Sequence, residues 1–189
     1  RINYGAAGSV LIHRDGVTMG QQIGETATLV KAPGVANTNI LNQTGVKTDY
    51  RGYAIIPFST PYRYNEVMLD SETFADNIDM DITTQKVVPT RGAIVQANFS
   101  GNVGQRAIIR LINPTGKVIP FGATVTDESQ PNNSSIVNDN GMVYLTGLAT
   151  TGTLNVQWGK KENQSCTATF SLANAQQQVG IVQSQAECR

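Results

Sequence analysis

The sequence predicts an all-β protein made of two small Greek-key β-sandwich domains in tandem, of the immunoglobulin-like or transthyretin-like kind. Three observations lead to this fold class. Short runs of β-branched and aromatic residues recur along the chain, Gly, Pro, Asn and Asp bound them, and little helical periodicity occurs before residue 170. Strands of sandwiches and barrels show this pattern, because such side chains fit a pleated, half-buried surface.

The strands follow from these runs in order. In the first half the candidate strands are residues 9–14, 26–31, 53–58, 66–70, 79–84 and 93–99. In the second half they are residues 106–112, 118–126, 142–145, 153–158 and 166–172. Turns are indicated at Arg14-Asp15-Gly16, Asn113-Pro114-Thr115-Gly116 and Asn138-Asp139-Asn140-Gly141, each with a residue that tolerates positive φ. Residues 172–188 are rich in Ala and Gln, and a short helix and an extended tail fit them equally well.

An internal repeat supports two domains. Asp49-Tyr50-Arg51-Gly52 comes before an apolar run in the first half, and Asp139-Asn140-Gly141 comes before a similar run in the second half. Two sandwiches of fewer than a hundred residues each fit the chain of 189 residues. We expect the boundary in the polar, Gly-containing stretch of residues 100–105.

Composition excludes several functions. The chain has 14 Lys and Arg against 14 Asp and Glu, and only 15% of its residues are charged, where soluble domains have about 25%. Such a chain lacks the basic surface that binds phosphates, so we expect no nucleic acid partner. No phosphate-binding loop motif occurs, and we expect neither a small-molecule substrate nor a cofactor.

His13 is the only histidine, and Cys166 and Cys188 are the only cysteines. A zinc site needs three or four ligands, and one histidine with two cysteines supplies at most three. We therefore expect no metal site and no catalytic residue. The two cysteines have two interpretations, a redox pair or one disulfide that ties the tail to the last strand. The absence of Cys-x-x-Cys spacing favours the disulfide, which also indicates an oxidising compartment.

An acidic cluster contains Asp76, Asp79 and Asp81. Paired carboxylates could serve glycoside hydrolysis or calcium binding. An alternating strand explains the cluster without either function, with Asp79 and Asp81 on one solvated face and Ile78, Met80 and Ile82 on the other.

Five aromatic residues crowd into residues 50–64, interleaved with Arg51 and Arg63; they are Tyr50, Tyr53, Phe58, Tyr62 and Tyr64. Aromatic and Arg side chains are enriched at the centres of protein-binding sites. We expect most of these rings to fill a sandwich core, with Tyr50 or Tyr64 the most exposed. The candidate binding residues are therefore Tyr50, Arg51, Arg63 and Tyr64.

Several motifs resemble the C-terminal region of the outer-membrane ushers of the chaperone–usher pathway. The most specific is Gly45-Val46-Lys47-Thr48-Asp49-Tyr50-Arg51-Gly52-Tyr53-Ala54. Others include Thr60-Pro61-Tyr62-Arg63, Val87-Val88-Pro89-Thr90-Arg91-Gly92-Ala93, Pro120-Phe121-Gly122-Ala123 and Trp158-Gly159. The ending Glu187-Cys188-Arg189 is most similar to ushers of the type 1 fimbrial branch.

The resemblance implies a division into residues 1–20, similar to the tail of the last barrel strand, and two periplasmic β-sandwich domains at residues 21–104 and 105–189. It implies a place on the periplasmic face of the outer membrane of a Gram-negative bacterium. The implied partners are chaperone–pilin subunit complexes and the usher's own N-terminal domain, plug and barrel. The cysteine pair is a disulfide in that family.

The leading hypothesis is therefore a non-enzymatic module that binds chaperone–pilin complexes during pilus assembly. One alternative is a purely structural pair of sandwiches that stabilises or gates the usher barrel. Another is a carbohydrate-active enzyme that uses Asp79 and Asp81.

Overall fold

The computed structural model describes residues 5–173, 176–178 and 180–189. The chain divides into two compact units, one of Arg1–Ala75 with Met80–Gly101 and one of Asp76–Asp79 with Asn102–Arg189. Within the described residues the only helices are two short 3₁₀ turns, at Ser71–Thr73 and Glu162–Gln164. Neither has the length and apolar character of a membrane-crossing helix.

Strands are numbered β1 to β17 in chain order through both units. Those of the first unit are β1 (Ser9–His13), β2 (Gly16–Gly20), β3 (Ala27–Lys31), β4 (Tyr53–Ile56), β5 (Asn65–Met68), β7 (Thr84–Val87) and β8 (Ile94–Asn98). β3 lies between β4, which is antiparallel to it, and β8, which is parallel to it. β5 pairs with β7, and β1 and β2 form a hairpin.

The core of the first unit lies around β3 and β4, whose residues are almost all buried. Leu29, Tyr53 and Ile55 form a cluster, and Leu11 from the hairpin packs against it together with Ile23. Continuous apolar runs such as these belong to strands that are covered on both faces.

The second unit contains the other strands. They are β6 (Ile78–Asp79), β9 (Asn102–Val103), β10 (Gln105–Ile112), β11 (Thr124–Asp127), β12 (Gln130–Ile136), β13 (Met142–Leu148), β14 (Thr151–Gln157), β15 (Ser165–Ser171), β16 (Gln176–Gln178) and β17 (Ile181–Glu187). Two four-stranded sheets, in the orders β13-β10-β17-β16 and β12-β11-β14-β15, enclose one hydrophobic core. β6 pairs with β9 in a separate short ladder.

Alternation along the strands builds this core. In β10, Ala107, Ile109 and Leu111 are fully buried, while Arg110 between them is exposed. Leu154 and other residues of the second sheet complete the core. Successive side chains of a strand point to opposite faces, so every second residue of these strands is apolar.

The predicted all-β class and β-sandwich fold are confirmed. The prediction of one strand over residues 79–84 is wrong, because Asp79 ends β6 and the chain is irregular until β7 begins at Thr84. The tail is extended: β17 runs parallel to β10. β12 was not predicted, since its sequence, which contains Pro131, is almost wholly polar.

The domain limits 1–20, 21–104 and 105–189 remain a prediction. The hairpin occupies much of the predicted leading segment, and Leu11 on its inner face packs on the first unit's core. The structure also places Asp76–Asp79 in the second unit, which the repeat in the sequence does not indicate.

Candidate functional site

The candidate site lies on the loop that follows β4, residues 57–64, which we call the aromatic loop. Asn65 stabilises it: its Oδ1 accepts a hydrogen bond from the Thr60 amide at 2.8 Å, and its Nδ2 donates to the carbonyls of Thr60 and Arg63, both at 2.9 Å. The Tyr62 amide donates to the Pro89 carbonyl at 2.7 Å. These bonds hold the loop in one conformation although it lies on the surface.

The aromatic loop presents three rings to solvent. The exposed fractions are 71% for Phe58, 69% for Tyr62 and 80% for Tyr64, and Arg63 between the tyrosines is exposed as well. Large rings that remain exposed on an ordered loop are the residue types that anchor protein–protein interfaces.

The expectation that most of the five rings fill the core is wrong, because only Tyr53 is buried. The chain leaves the sheet at Pro57, so the residues after it no longer alternate between a core face and a solvent face. The expected exposure of Tyr50 and Tyr64 is confirmed, at 83% and 80%.

Tyr50 and Arg51 lie in a turn just before β4. The Asp49 carboxylate closes this turn by accepting hydrogen bonds from the Arg51 amide at 2.8 Å and the Tyr53 amide at 2.9 Å. Gly52 has φ of 92°, a conformation that favours glycine.

Arg51 makes internal contacts instead of facing solvent freely. Its Nη1 donates to the Asp15 carbonyl at 3.0 Å, and its Nη2 donates to the Val17 carbonyl and to the Thr18 hydroxyl. The guanidinium carbon lies 4.9 Å from the centroid of the Tyr53 ring. Arg51 therefore joins the hairpin to the turn before β4.

The four predicted binding residues do not form one surface. The Gly34 amide, just beyond the end of β3, donates to the Arg51 carbonyl, while the Thr26 carbonyl, before its start, accepts from the Ser59 amide. These two contacts lie beyond opposite ends of β3, which is roughly 13 Å long at about 3.3 Å per residue. Arg63 and Tyr64 therefore lie in one region and Tyr50 in another.

The hairpin carries a second exposed apolar surface, none of whose residues is among the binding residues predicted from the sequence. On its outer face Val10 pairs with Met19, and Ile12 pairs with Val17; all four side chains are exposed. The opposite face includes the buried Thr18. The signal in the sequence was the alternation on both sides of the predicted turn at residues 14–16.

Cys166 and Cys188 form the predicted disulfide. It joins β15 of one sheet to the residue after β17, and the Cys188 amide donates to the Ile112 carbonyl at 2.7 Å. The bond therefore ties the C-terminal strand to the opposite sheet of the second unit's sandwich.

His13, Asp15 and Lys31 contact other side chains of the first unit. His13 Nε2 lies 2.9 Å from the Thr18 hydroxyl, and its ring stacks on Tyr53 with centroids 5.2 Å apart. A hydrogen bond from Lys31 to Asp15, 2.6 Å long, lowers the pKa of the Asp15 carboxyl and raises the pKa of Lys31. Within the described residues no group of three or more His, Cys, Asp or Glu could hold a metal ion.

Asp79 and Asp81 do not lie on one strand as predicted. Asp79 ends β6 and its Oδ2 accepts a hydrogen bond from the Thr146 hydroxyl at 3.0 Å. Asp81 belongs to the other compact unit. The single strand face on which both were expected does not exist.

Two protein families match the chain. The family described as outer membrane usher protein matches residues 1–99. The family described as PapC C-terminal domain matches residues 108–174.

Individual relatives agree with the family matches. Outer membrane usher protein FimD of Escherichia coli strain K12 is 49% identical over 189 residues, which is 100% of this chain and 21% of the relative. Outer membrane usher protein LpfC of Salmonella typhimurium is 40% identical over 100% of this chain and 23% of the relative. The chain thus spans about a fifth of the length of these relatives.

A solved structure supports the fold. The cryo-EM structure of an E. coli P pilus tip assembly intermediate, PapC-PapD-PapK-PapG, contains a chain that is 25% identical to this one, with a TM-score of 0.67. The match covers 96% of this chain and 22% of that chain.

Proposed function

The chain belongs to the outer membrane usher protein family, and on that premise we propose that it is a non-enzymatic docking module for chaperone–pilin complexes during pilus assembly. It acts on the periplasmic face of the outer membrane, next to the other domains of its usher. Its role is to position the complex, and it forms no covalent bond with it.

One observation carries this proposal: the aromatic loop holds Phe58, Tyr62 and Tyr64 in the solvent on a backbone fixed by hydrogen bonds. A loop that is already ordered loses little conformational entropy when a partner covers it. Tyr side chains combine a large apolar face with a hydroxyl, which suits a surface that must bind and release.

The comparison with PapC supports the class of partner. The structure that this chain matches over 96% of its length is that of a pilus tip assembly intermediate containing PapD, PapK and PapG besides PapC. In such assembly, strand exchange between subunits would supply the energy of polymerisation. The module itself would contribute affinity and orientation.

The proposed binding residues differ in part from those chosen from the sequence. Arg63 and Tyr64 stay in the proposed surface together with Phe58 and Tyr62. Tyr50 is a candidate for a separate contact, because it lies at the other end of β3. Arg51 is a positioning residue in this proposal, since its guanidinium donates to the hairpin.

Calorimetric titration of the full chain with a chaperone–pilin complex tests the proposal. We expect Tyr62→Ala combined with Tyr64→Ala to weaken binding at least tenfold, because exposed aromatic anchors account for much of the affinity of an interface. Phe121→Ala is the matched control, because this ring is 71% exposed and lies in the second unit, outside every proposed contact. Equal affinities of the double variant and the unchanged chain would refute the role of the loop.

The hairpin favours a second candidate function, a structural module within the longer protein. Its outer face, made of Val10, Ile12, Val17 and Met19, is apolar and exposed. Contact of apolar area with water is unfavourable, so burial of this face against another part of the usher would stabilise the protein. In a full-length usher, replacing Ile12 and Met19 by Ser should then reduce the amount of folded usher. Replacement of Tyr62 and Tyr64 should leave that amount unchanged.

A further inference from the structure

The second unit contains a short strand from a distant part of the sequence. The chain leaves the first unit after Ala75, contributes Asp76–Asp79 to the second unit and returns to the first unit at Met80. We call Asp76–Asp79 the inserted segment. Its two strand residues, Ile78 and Asp79, pair antiparallel with β9.

Backbone hydrogen bonds hold the inserted segment in place. The Asn77 carbonyl accepts a hydrogen bond from the Gly104 amide at 2.9 Å. The Ile78 carbonyl accepts one from Nη2 of Arg106 at 3.1 Å. Both acceptors are backbone carbonyls, so these contacts would serve any residue at the same two positions.

Two side chains add selectivity. We call the part of the second unit that contacts the inserted segment the cleft; it consists of β9, Gly104, Arg106 and Thr146. Ile78 is buried, with an exposed fraction of 3%, so this position accommodates an apolar side chain. The Asp79 carboxylate accepts a hydrogen bond from the Thr146 hydroxyl at 3.0 Å, and Nδ2 of the Asn102 side chain donates to the same hydroxyl at 3.2 Å. In this arrangement the two positions hold an apolar residue followed by an acidic one.

The cleft extends past the inserted segment. A cavity of about 470 Å³ begins at Asp76 and Asn77 and is lined further by Thr150, Leu172 and Val182. This volume lies within the roughly 300–1,000 Å³ of ligand pockets. A longer extended peptide has room to continue there.

One feature lowers the stability of the closed arrangement. Among the described residues, Nε of Arg106 is buried without a hydrogen-bond partner while the same guanidinium contacts the inserted segment. A buried donor without an acceptor is unfavourable, and water can solvate it when the cleft opens.

We propose that this cleft is a peptide-binding site which the inserted segment closes in cis. Its occupant in trans is an extended strand from a partner protein, with an apolar residue at the position of Ile78 and an acidic residue at the position of Asp79. A tethered segment has an effective concentration in the millimolar range. A free peptide therefore binds measurably only when the segment is weakened or when the peptide also fills the cavity.

NMR titration of the isotope-labelled full chain tests this inference with a capped peptide of residues 74–82. In the variant Ile78→Asp we expect saturable shifts of the Gly104 and Val103 amides. The unchanged chain should bind at least tenfold more weakly. Ile82→Asp is the matched control, because Ile82 is 60% exposed and its replacement should leave the cleft closed.

The peptide carries its own controls. A peptide with Ile78→Asp should not bind, and one with Asp79→Asn should bind more weakly. The proposal is overturned if the Ile78→Asp variant of the chain shows no shift or binds the peptide no better than the unchanged chain does. It is also overturned if the altered peptides bind as well as the original peptide. If Ile78→Asp disrupts the β10 amide signals, the same titration on Ile78→Ala decides, with the same outcomes.

Discussion

The guanidinium of Arg51 donates a hydrogen bond to the hydroxyl of Thr18, with Nη2 and Oγ1 3.2 Å apart. Thr18 is buried, and its hydroxyl also lies 2.9 Å from Nε2 of His13. Arg51 therefore stabilises the fold: its guanidinium donates hydrogen bonds to polar groups of the hairpin and lies over the Tyr53 ring.

We expect Arg51→Ala to lower the free energy of unfolding by about 1 to 3 kcal/mol, because it removes the hydrogen bonds that the guanidinium donates to the Asp15 and Val17 carbonyls and to the Thr18 hydroxyl. Amide hydrogen exchange of Val17 and Thr18 should accelerate. Arg63→Ala is the control, since Arg63 is exposed and should change stability by less than about 0.5 kcal/mol. Equal effects of the two replacements would contradict the assigned role of Arg51.

Gly52→Ala should be strongly destabilising. A Cβ at this position would lie 1.8 Å from the Ala32 carbonyl oxygen, at φ of 92°, so the backbone must move. We expect a loss of about 3 kcal/mol or more in chemical denaturation. Gly92→Ala is the matched control: it has a similar positive φ of 76° with no atom within 4 Å of the added Cβ, and it should cost only about 1 to 2 kcal/mol.

Removal of the disulfide should destabilise the second unit. Cys166 and Cys188 are 22 residues apart, and closing a loop of that size stabilises a fold by about 3 kcal/mol in the chain-entropy description. Denaturation of the Cys166→Ala and Cys188→Ala double variant should show this loss. Reductant should lower the stability of the unchanged chain and leave the double variant unaffected; sensitivity of the double variant would contradict the explanation.

The ion pair of Asp15 and Lys31 should contribute to stability only over a defined pH range. The hydrogen bond between them lowers the pKa of Asp15 from 3.8 and raises that of Lys31 from 10.5. The contribution of Asp15 is therefore present above pH 3.8 and lost as the pH falls through its folded-state pKa. That of Lys31 is present below pH 10.5 and lost as the pH rises through its own.

NMR titration of the Asp15 carboxyl measures this effect directly. In Lys31→Met the pKa of Asp15 should rise towards 3.8, because its strongest hydrogen-bond donor is gone. Lys86→Met is the control, since Lys86 pairs with Glu66 elsewhere on the first unit. No change in Asp15 after Lys31→Met would show that another group sets its pKa.

Local patterns were sufficient for much of the fold. Most residues of β3, β4, β10 and β14 lie in apolar or alternating runs, so the hydrophobic period and the flanking turn residues identified these strands. β12 was not predicted, because a polar strand at the edge of a sheet has no such pattern. β6 has only two residues, too few for any period.

The candidate site was predictable by residue type more than by position. The crowding of aromatic residues between Tyr50 and Tyr64 is the basis of the proposed binding region, and the resemblance is the basis of the proposed partner. Which rings are exposed depends on where the chain leaves the sheet, at Pro57. Arg51 is held away from free solvent by hydrogen bonds to the carbonyls of Asp15 and Val17. These residues lie more than thirty positions away along the chain.

The sequence by itself determined the all-β class and the family resemblance and favoured a disulfide between its only two cysteines, since each depends on residue types or on their local order. Only the tertiary structure decided that Arg51 stabilises the hairpin, that the aromatic loop and Tyr50 lie beyond opposite ends of β3, and that Asp76–Asp79 belongs to the second unit. The physical reason is the same in each case. These outcomes depend on hydrogen bonds and burial between residues far apart in the chain, and no local pattern encodes which distant groups will meet.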